Sequence, residues 1–105
     1  MASLFLLYRL KPGVTREAYE AWTRERDYPV MRGLRHVASF VTHRATRLLL
    51  DPLGTPSVDY VEVFEVSDVD AFMAEDFPGQ AVQAILGEFM ERVDNPEIIV
   101  GEPVV

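Results

Sequence analysis

At 105 residues the chain makes one domain, 1–105, with a modest core, and domains this small often gain stability by pairing with a second copy. It has no cysteine, which excludes disulfides and thiolate chemistry and makes a reducing compartment the expectation. The net charge of −7 is unevenly spread: residues 1–50 hold nine basic and four acidic side chains (+5), residues 51–105 one and thirteen (−12). An acidic chain without a basic cluster is unsuited to phosphate backbones, so no nucleic-acid partner is expected. The N-terminus lacks the pattern of a secretory leader, and no apolar run approaches the ~20 residues of a membrane helix. A soluble, cytoplasmic protein with no membrane partner is therefore expected. The charge asymmetry reads either as a solvated surface or as two halves that face each other across an interface.

In chain order, SLFLLYRL places Leu4, Leu6, Tyr8 and Leu10 on one face of a first strand, about 2–10, with Phe5 and Leu7 on the other. Lys11-Pro12-Gly13 makes a turn. Thr15 caps a helix that runs to about Asp27, with Ala18, Ala21, Trp22 and Glu25 on one stripe. Asp27-Tyr28-Pro29 is predicted to end it, because a residue before proline disfavours the α region. A short turn over Val30 to Leu34 leads to a second strand, Arg35 to Leu48. Residues 51–57, with two prolines and a glycine, form a loop.

DYVEVFEV, 59–66, is the third strand; Tyr60, Glu62, Phe64 and Val66 share one face and Asp59, Val61, Val63 and Glu65 the other. Ser67 is predicted to cap a second helix bearing Val69, Phe72, Met73 and Phe77, broken by Pro78-Gly79. A third helix carries Val82, Ile85, Leu86, Phe89, Met90 and Val93 on one face. Asn95-Pro96 is predicted to end it, before a fourth strand over 97–105.

The order βαββαβ defines an α+β, ferredoxin-like plan: a four-stranded antiparallel sheet with helices on one face. The first and third strands are apolar on both faces, whereas the helices cover only one. A second copy of the sheet is the economical cover for the other, giving a homodimer.

With these elements in place the chain resembles the REDY-like family of the dimeric α+β barrel superfamily, small proteins encoded with prodigiosin-type and related pyrrole or indole pigment pathways. The resemblance spans nearly the whole chain. It rests on Asp27-Tyr28-Pro29 after a Trp-bearing helix, Val37-Ala38-Ser39-Phe40, Tyr60-Val61-Glu62-Val63 and Val93-Asp94-Asn95-Pro96. It implies a homodimer whose two sheets share a barrel, and a pocket in each subunit between sheet and helices. It also implies condensation, cyclisation or dehydration of an aromatic biosynthetic intermediate.

The residues themselves narrow the chemistry. His36 and His43 are seven apart and point to opposite faces of a regular strand, so with no cysteine the chain lacks ligands for a zinc or facial-triad iron site. No glycine-rich phosphate-binding motif is present. The expectation is no metal and no cofactor. Glu62, between Tyr60 and Phe64 on a covered strand, is the leading acid–base candidate, with pairing to Arg9 or Arg44 as the structural alternative. His36 is expected to share the proton with it. Asp27 and Tyr28, at a helix end that proline opens, are the other candidate catalytic residues. Trp22, Glu25, Tyr8, Ser39, Phe40 and Phe64 are candidate substrate-binding residues, the aromatic ones for stacking on a flat ligand.

The expected function is that of a small cofactor-independent enzyme of secondary metabolism, moving protons to cyclise, condense or dehydrate a hydrophobic pyrrole- or indole-type intermediate. A cofactor-free monooxygenase is one rival. The other is a non-catalytic dimeric protein that sequesters a reactive intermediate.

Overall fold

Alternating large side chains make β1 (Ala2–Leu10) a strand that buries Leu4, Leu6 and Tyr8 on one side. The computed structural model, which covers residues 1–105, places β1 beside β3 (Tyr60–Val66), with β2 (Val37–Arg44) and β4 (Val93–Gly101) at the edges. All pairings are antiparallel, in the order β2-β3-β1-β4. This is the ferredoxin-like α+β plan. Four helical segments, α1 (Arg16–Trp22), α2 (Tyr28–Met31), α3 (Val69–Ala71) and α4 (Gln80–Arg92), lie on one sheet face. The core joins that face to the inner faces of the helices, and Tyr8, Tyr19, Phe40, Tyr60, Val66 and Val93 are almost wholly enclosed.

Pro29 does not stop the first helix. Tyr28 keeps helical dihedrals (φ −56°, ψ −47°), and the helix passes through a π-helical turn, Thr23–Asp27, into α2. In that turn the Tyr28 N–H reaches back to the Thr23 carbonyl, one residue further than in an α-helix. The wider turn accommodates a residue without an N–H. Of the expected stripe Ala18, Ala21, Trp22 and Glu25 only Trp22 is buried; it faces inward with Tyr19, Thr23 and Asp27. Glu25 is exposed, a correction to its expected place in the pocket. A second π-helical turn, Phe72–Asp76, follows α3 and also ends on a buried aspartate. The cap of α3 is Asp68, not Ser67: the Asp68 carboxylate accepts from the Ala71 N–H at 3.0 Å.

Two strand boundaries also differ from expectation. β2 is shorter than 35–48, and its pairing with β3 shifts between Val37 and Ser39. That bulge brings Val37 onto the same buried side as Phe40. Ser39 pairs with Glu65 on the opposite face and is exposed, so it does not reach the helix-side pocket. β4 begins at Val93, not at 97, because Asn95-Pro96 forms a bulge in the strand and does not end α4. Pro96, which cannot donate to a ladder, sits where pairing shifts, and Asn95 takes φ +46°. An asparagine tolerates that left-handed conformation better than a residue with an inert side chain. Asn95→Ala is expected to cost about 1 kcal/mol and lower Tm by about 4–8 °C, while Asn95→Gly holds Tm, both read by thermal denaturation.

The other sheet face is open. Phe5, Leu7, Val61 and Val63 are half-buried there, and Val41 and Ile99 are 42% and 40% exposed. The basic and acidic halves meet within the chain: Arg16–Asp59, Arg26–Glu88 and Arg35–Glu75 are ion pairs across the two halves.

Candidate functional site

Between the sheet and the helices lies a chamber of about 310 Å³. Leu4, Leu6, Phe64, Ile98 and Val100 form its sheet wall. Met31, the α3 region and α4 close it with Val69, Phe72, Met73, Phe77, Val82, Ile85, Leu86 and Phe89. Met73, Ile98 and Val100 are about half exposed, which marks the mouth along the β4 edge. Of the sixteen lining residues fourteen are hydrophobic, and the other two are Asp27 and Glu62.

Glu62 enters from the middle of β3, between Leu6 of β1 and Thr42 of β2 in register, and is 2% exposed. Neither arginine pairs with it: Arg44 is engaged by Glu20, and Arg9 bonds the Ser57 carbonyl. Its partners are tyrosines. The Tyr8 hydroxyl donates to Glu62 Oε2, and the Tyr19 hydroxyl lies 3.3 Å from the same oxygen and 2.5 Å from the Tyr8 hydroxyl. Oε1 takes no hydrogen bond from the chain. Asp27, at the end of the first π-helical turn and four residues on from Thr23, is 4% exposed, and its carboxylate has no hydrogen-bond partner.

Burial raises the Glu62 pKa to about 8; the nearby Asp27 charge adds to the rise, and the two tyrosine hydroxyls pull against it. Burial alone raises Asp27 to about 7. Burial, then the Glu62 charge, pushes both tyrosine hydroxyls upward, so they stay protonated donors. Near neutral pH the carboxylates titrate as a pair that holds and releases protons in the range useful for acid–base work.

The same shifts make stability depend on pH. An acid whose folded pKa lies above its unfolded value keeps its proton only in the folded state. The contribution of these two groups to stability is then full below about pH 4 and falls as pH rises towards 8, by on the order of 1.4 kcal/mol per unit for each carboxylate still protonated in the fold alone. Denaturant midpoints measured from pH 4 to 9 are expected to decline over this window and then level. Midpoints that rise with pH across it would contradict the shifts.

The other sequence candidates are dispersed. His36 precedes β2, away from the chamber lining: its Nε2 is 3.3 Å from Glu75, its Nδ1 3.4 Å from the Ser67 hydroxyl, and its backbone N–H donates to Asp76. It does not share a cavity with Glu62; the second carboxyl in the chamber is that of Asp27. Tyr28 faces a separate polar hollow with Thr42, Arg44 and Tyr60; its hydroxyl accepts from the Thr42 N–H, and Arg32 stacks on its ring. Trp22 is buried behind the chamber wall, with its indole N–H donating to Glu88 at 2.9 Å. Phe64 lines the chamber, and Phe40 stacks behind it at 3.9 Å with rings 6° apart. Tyr8 contributes through Glu62. Tyr19 was missed by sequence reasoning; its signal was the aromatic spacing Tyr19–Trp22, three apart on one helix face. No three His, Asp or Glu side chains are arranged to hold a metal ion. No helix is long and apolar enough to cross a membrane.

The fold and the carboxylate-bearing chamber define a ferredoxin-like α+β domain with a ligand-sized pocket under its helices. The chain belongs to the REDY-like HapK family, whose pattern it matches over residues 2–104. It is similar to HapK from Hahella chejuensis, at 27% identity and a TM-score of 0.79 over 99% of this chain and 93% of that one. A protein of Arabidopsis thaliana shares the fold at 17% identity, with a TM-score of 0.78 over 100% and 97% of the two chains. So does a dimeric ferredoxin-like protein of Thermobifida fusca, at 16% identity and a TM-score of 0.70 over 97% and 90%. No curated protein matches the sequence.

Proposed function

We propose that the chamber is the active site of a cofactor-independent acid–base enzyme of secondary metabolism, cytoplasmic and homodimeric. Its substrate is a flat, hydrophobic pyrrole- or indole-type intermediate, and its reaction a cyclisation, condensation or dehydration. One observation carries this reading: two deeply buried carboxylates are the polar members of an otherwise apolar wall. Their raised pKa values let one take a proton from the substrate while the other gives one to a departing hydroxyl or an activated carbonyl. Tyr8 and Tyr19 fix the Glu62 carboxylate and steady its charge as it forms. The apolar wall excludes water and offers ring faces to a conjugated ligand. Membership of the HapK family supports the placement. His36 and Tyr28, which do not line the chamber, have no part in the chemistry.

The homodimer is supported by the apolar open face of the sheet and by the dimeric Thermobifida neighbour.

The catalytic reading is tested with 5-nitrobenzisoxazole, a flat bicyclic probe. A base that removes its C3 proton breaks the N–O bond, forms a nitrile and releases a coloured phenolate. The protein is expected to accelerate this ring opening above an equal concentration of acetate, with a rate that climbs through pH 7–8 as the pair deprotonates. No acceleration despite saturable binding would replace catalysis with sequestration.

A further inference from the structure

We infer that the chamber selects a cationic, planar nitrogen ligand, one whose amidinium- or iminium-type N–H groups donate to Asp27 and Glu62 while its ring system fills the apolar space. This rests on reading the chamber as the functional site, and it specifies the charge of what enters.

The lining contains two carboxyl groups and no lysine, arginine or histidine. Of the arginines near the first helix, Arg16 pairs with Asp59, Arg26 with Glu88 and Arg44 with Glu20, Arg32 takes the Phe40 carbonyl and the Tyr28 ring, and Arg24 borders the separate hollow with Tyr28, not the chamber. An anionic substrate would find no cationic side chain in the lining to balance its charge in a low dielectric, and would oppose ionisation of either carboxyl. A neutral hydrocarbon would fill the space and leave the Asp27 carboxylate without a partner. That side chain is 96% enclosed, accepts no hydrogen bond from the chain and borders the cavity. Glu62 likewise has Oε1 free, since both tyrosines address Oε2. The site therefore offers acceptors, and a planar cation with two adjacent N–H donors satisfies them with charge-assisted hydrogen bonds.

The groups that face Glu62 are Tyr8 of β1, Tyr19 of α1 and Asp27 of the π-helical turn; α3 and α4 present only apolar side chains to the chamber. A bound cation stabilises the ionised carboxylates, so its binding draws a proton off the pair into solvent. A neutral ligand of the same shape does not.

The experiment uses three probes of one shape: 2-naphthamidine (cation), 2-naphthamide (neutral) and 2-naphthoate (anion). Titration calorimetry at pH 6.5, in two buffers of different ionisation enthalpy, reads affinity and proton release together. The amidine is expected to bind about 30-fold more tightly than the amide, with the naphthoate weakest, and to release a proton. Asp27→Asn and Glu62→Gln are each expected to cut the preference for the amidine to about threefold or less and to diminish the proton release. Equal affinities for amidine and amide, tighter binding of the naphthoate, or no binding by any of the three would overturn the inference. Ring opening of the benzisoxazole without amidine preference would sink the charge assignment alone. Amidine preference without ring opening would sink catalysis alone.

Discussion

Glu62→Gln is expected to lower the benzisoxazole ring-opening rate by about 10²–10⁴-fold, the range a positioned general base supplies. The substitution keeps the shape of the side chain, and its amide still accepts from Tyr8 and Tyr19, so the fold should survive. It also removes a carboxyl whose folded pKa is raised to about 8. Above pH 8 the variant is therefore expected to be more stable than the parent, by denaturant midpoint, even as its rate collapses. Loss of function with a gain of alkaline stability is a signature that a merely structural glutamate would not give. Asp27→Asn should share the alkaline stabilisation, since burial raises that carboxyl as well. A Glu62→Gln protein that opens the probe at the parental rate would remove Glu62 from the chemistry.

A charge on the open face of the sheet should have the second large effect. Phe5 and Val63 are paired neighbours at the centre of that face, with Leu7 and Val61 beside them. If two sheets close on each other, Val63→Asp buries two like charges at the two-fold, without a partner for either. Light scattering is expected to report a dimer for the parent chain and a monomer for Val63→Asp, with the helix content of the two unchanged by circular dichroism. A parent monomer at micromolar concentration would leave the apolar face without its proposed cover.

The fold was legible because its signals are periodic. Alternation in 2–10 and 59–66, and the stripe Val82, Ile85, Phe89 on α4, follow directly from the pleat and the helical turn. Glu62 was legible for the same reason: parity put it on the face of Tyr60 and Phe64, and that face is buried. What failed was phase. The buried face of the first helix runs through Tyr19, Thr23 and Asp27, four apart, not through Glu25, and the extra residue in the turn Thr23–Asp27 leads it on into α2; one extra residue near Ala38 brought Val37 in, while Ser39, opposite Phe40 by simple alternation, stays outside. Neither insertion leaves a periodic trace; each is set by tertiary packing around Pro29 and the β2 edge. Asn95-Pro96 misled in the opposite way, since a helix stop and a strand bulge use the same residue types. His36 was assigned to the site from its titration range, yet parity says nothing about a residue that precedes its strand and turns to Glu75.

The most direct test of the carboxylate pair is its own titration. With ¹³C-labelled aspartate and glutamate, and with Asp27→Asn and Glu62→Gln to assign the signals, the side-chain carboxyl shifts of the folded protein can be followed from pH 4 to 9. The account predicts that two carboxyls keep protons well above pH 5 and titrate towards pH 7 and 8. If both are fully ionised by pH 5, the chamber is wet, its acids are ordinary, and the account is wrong.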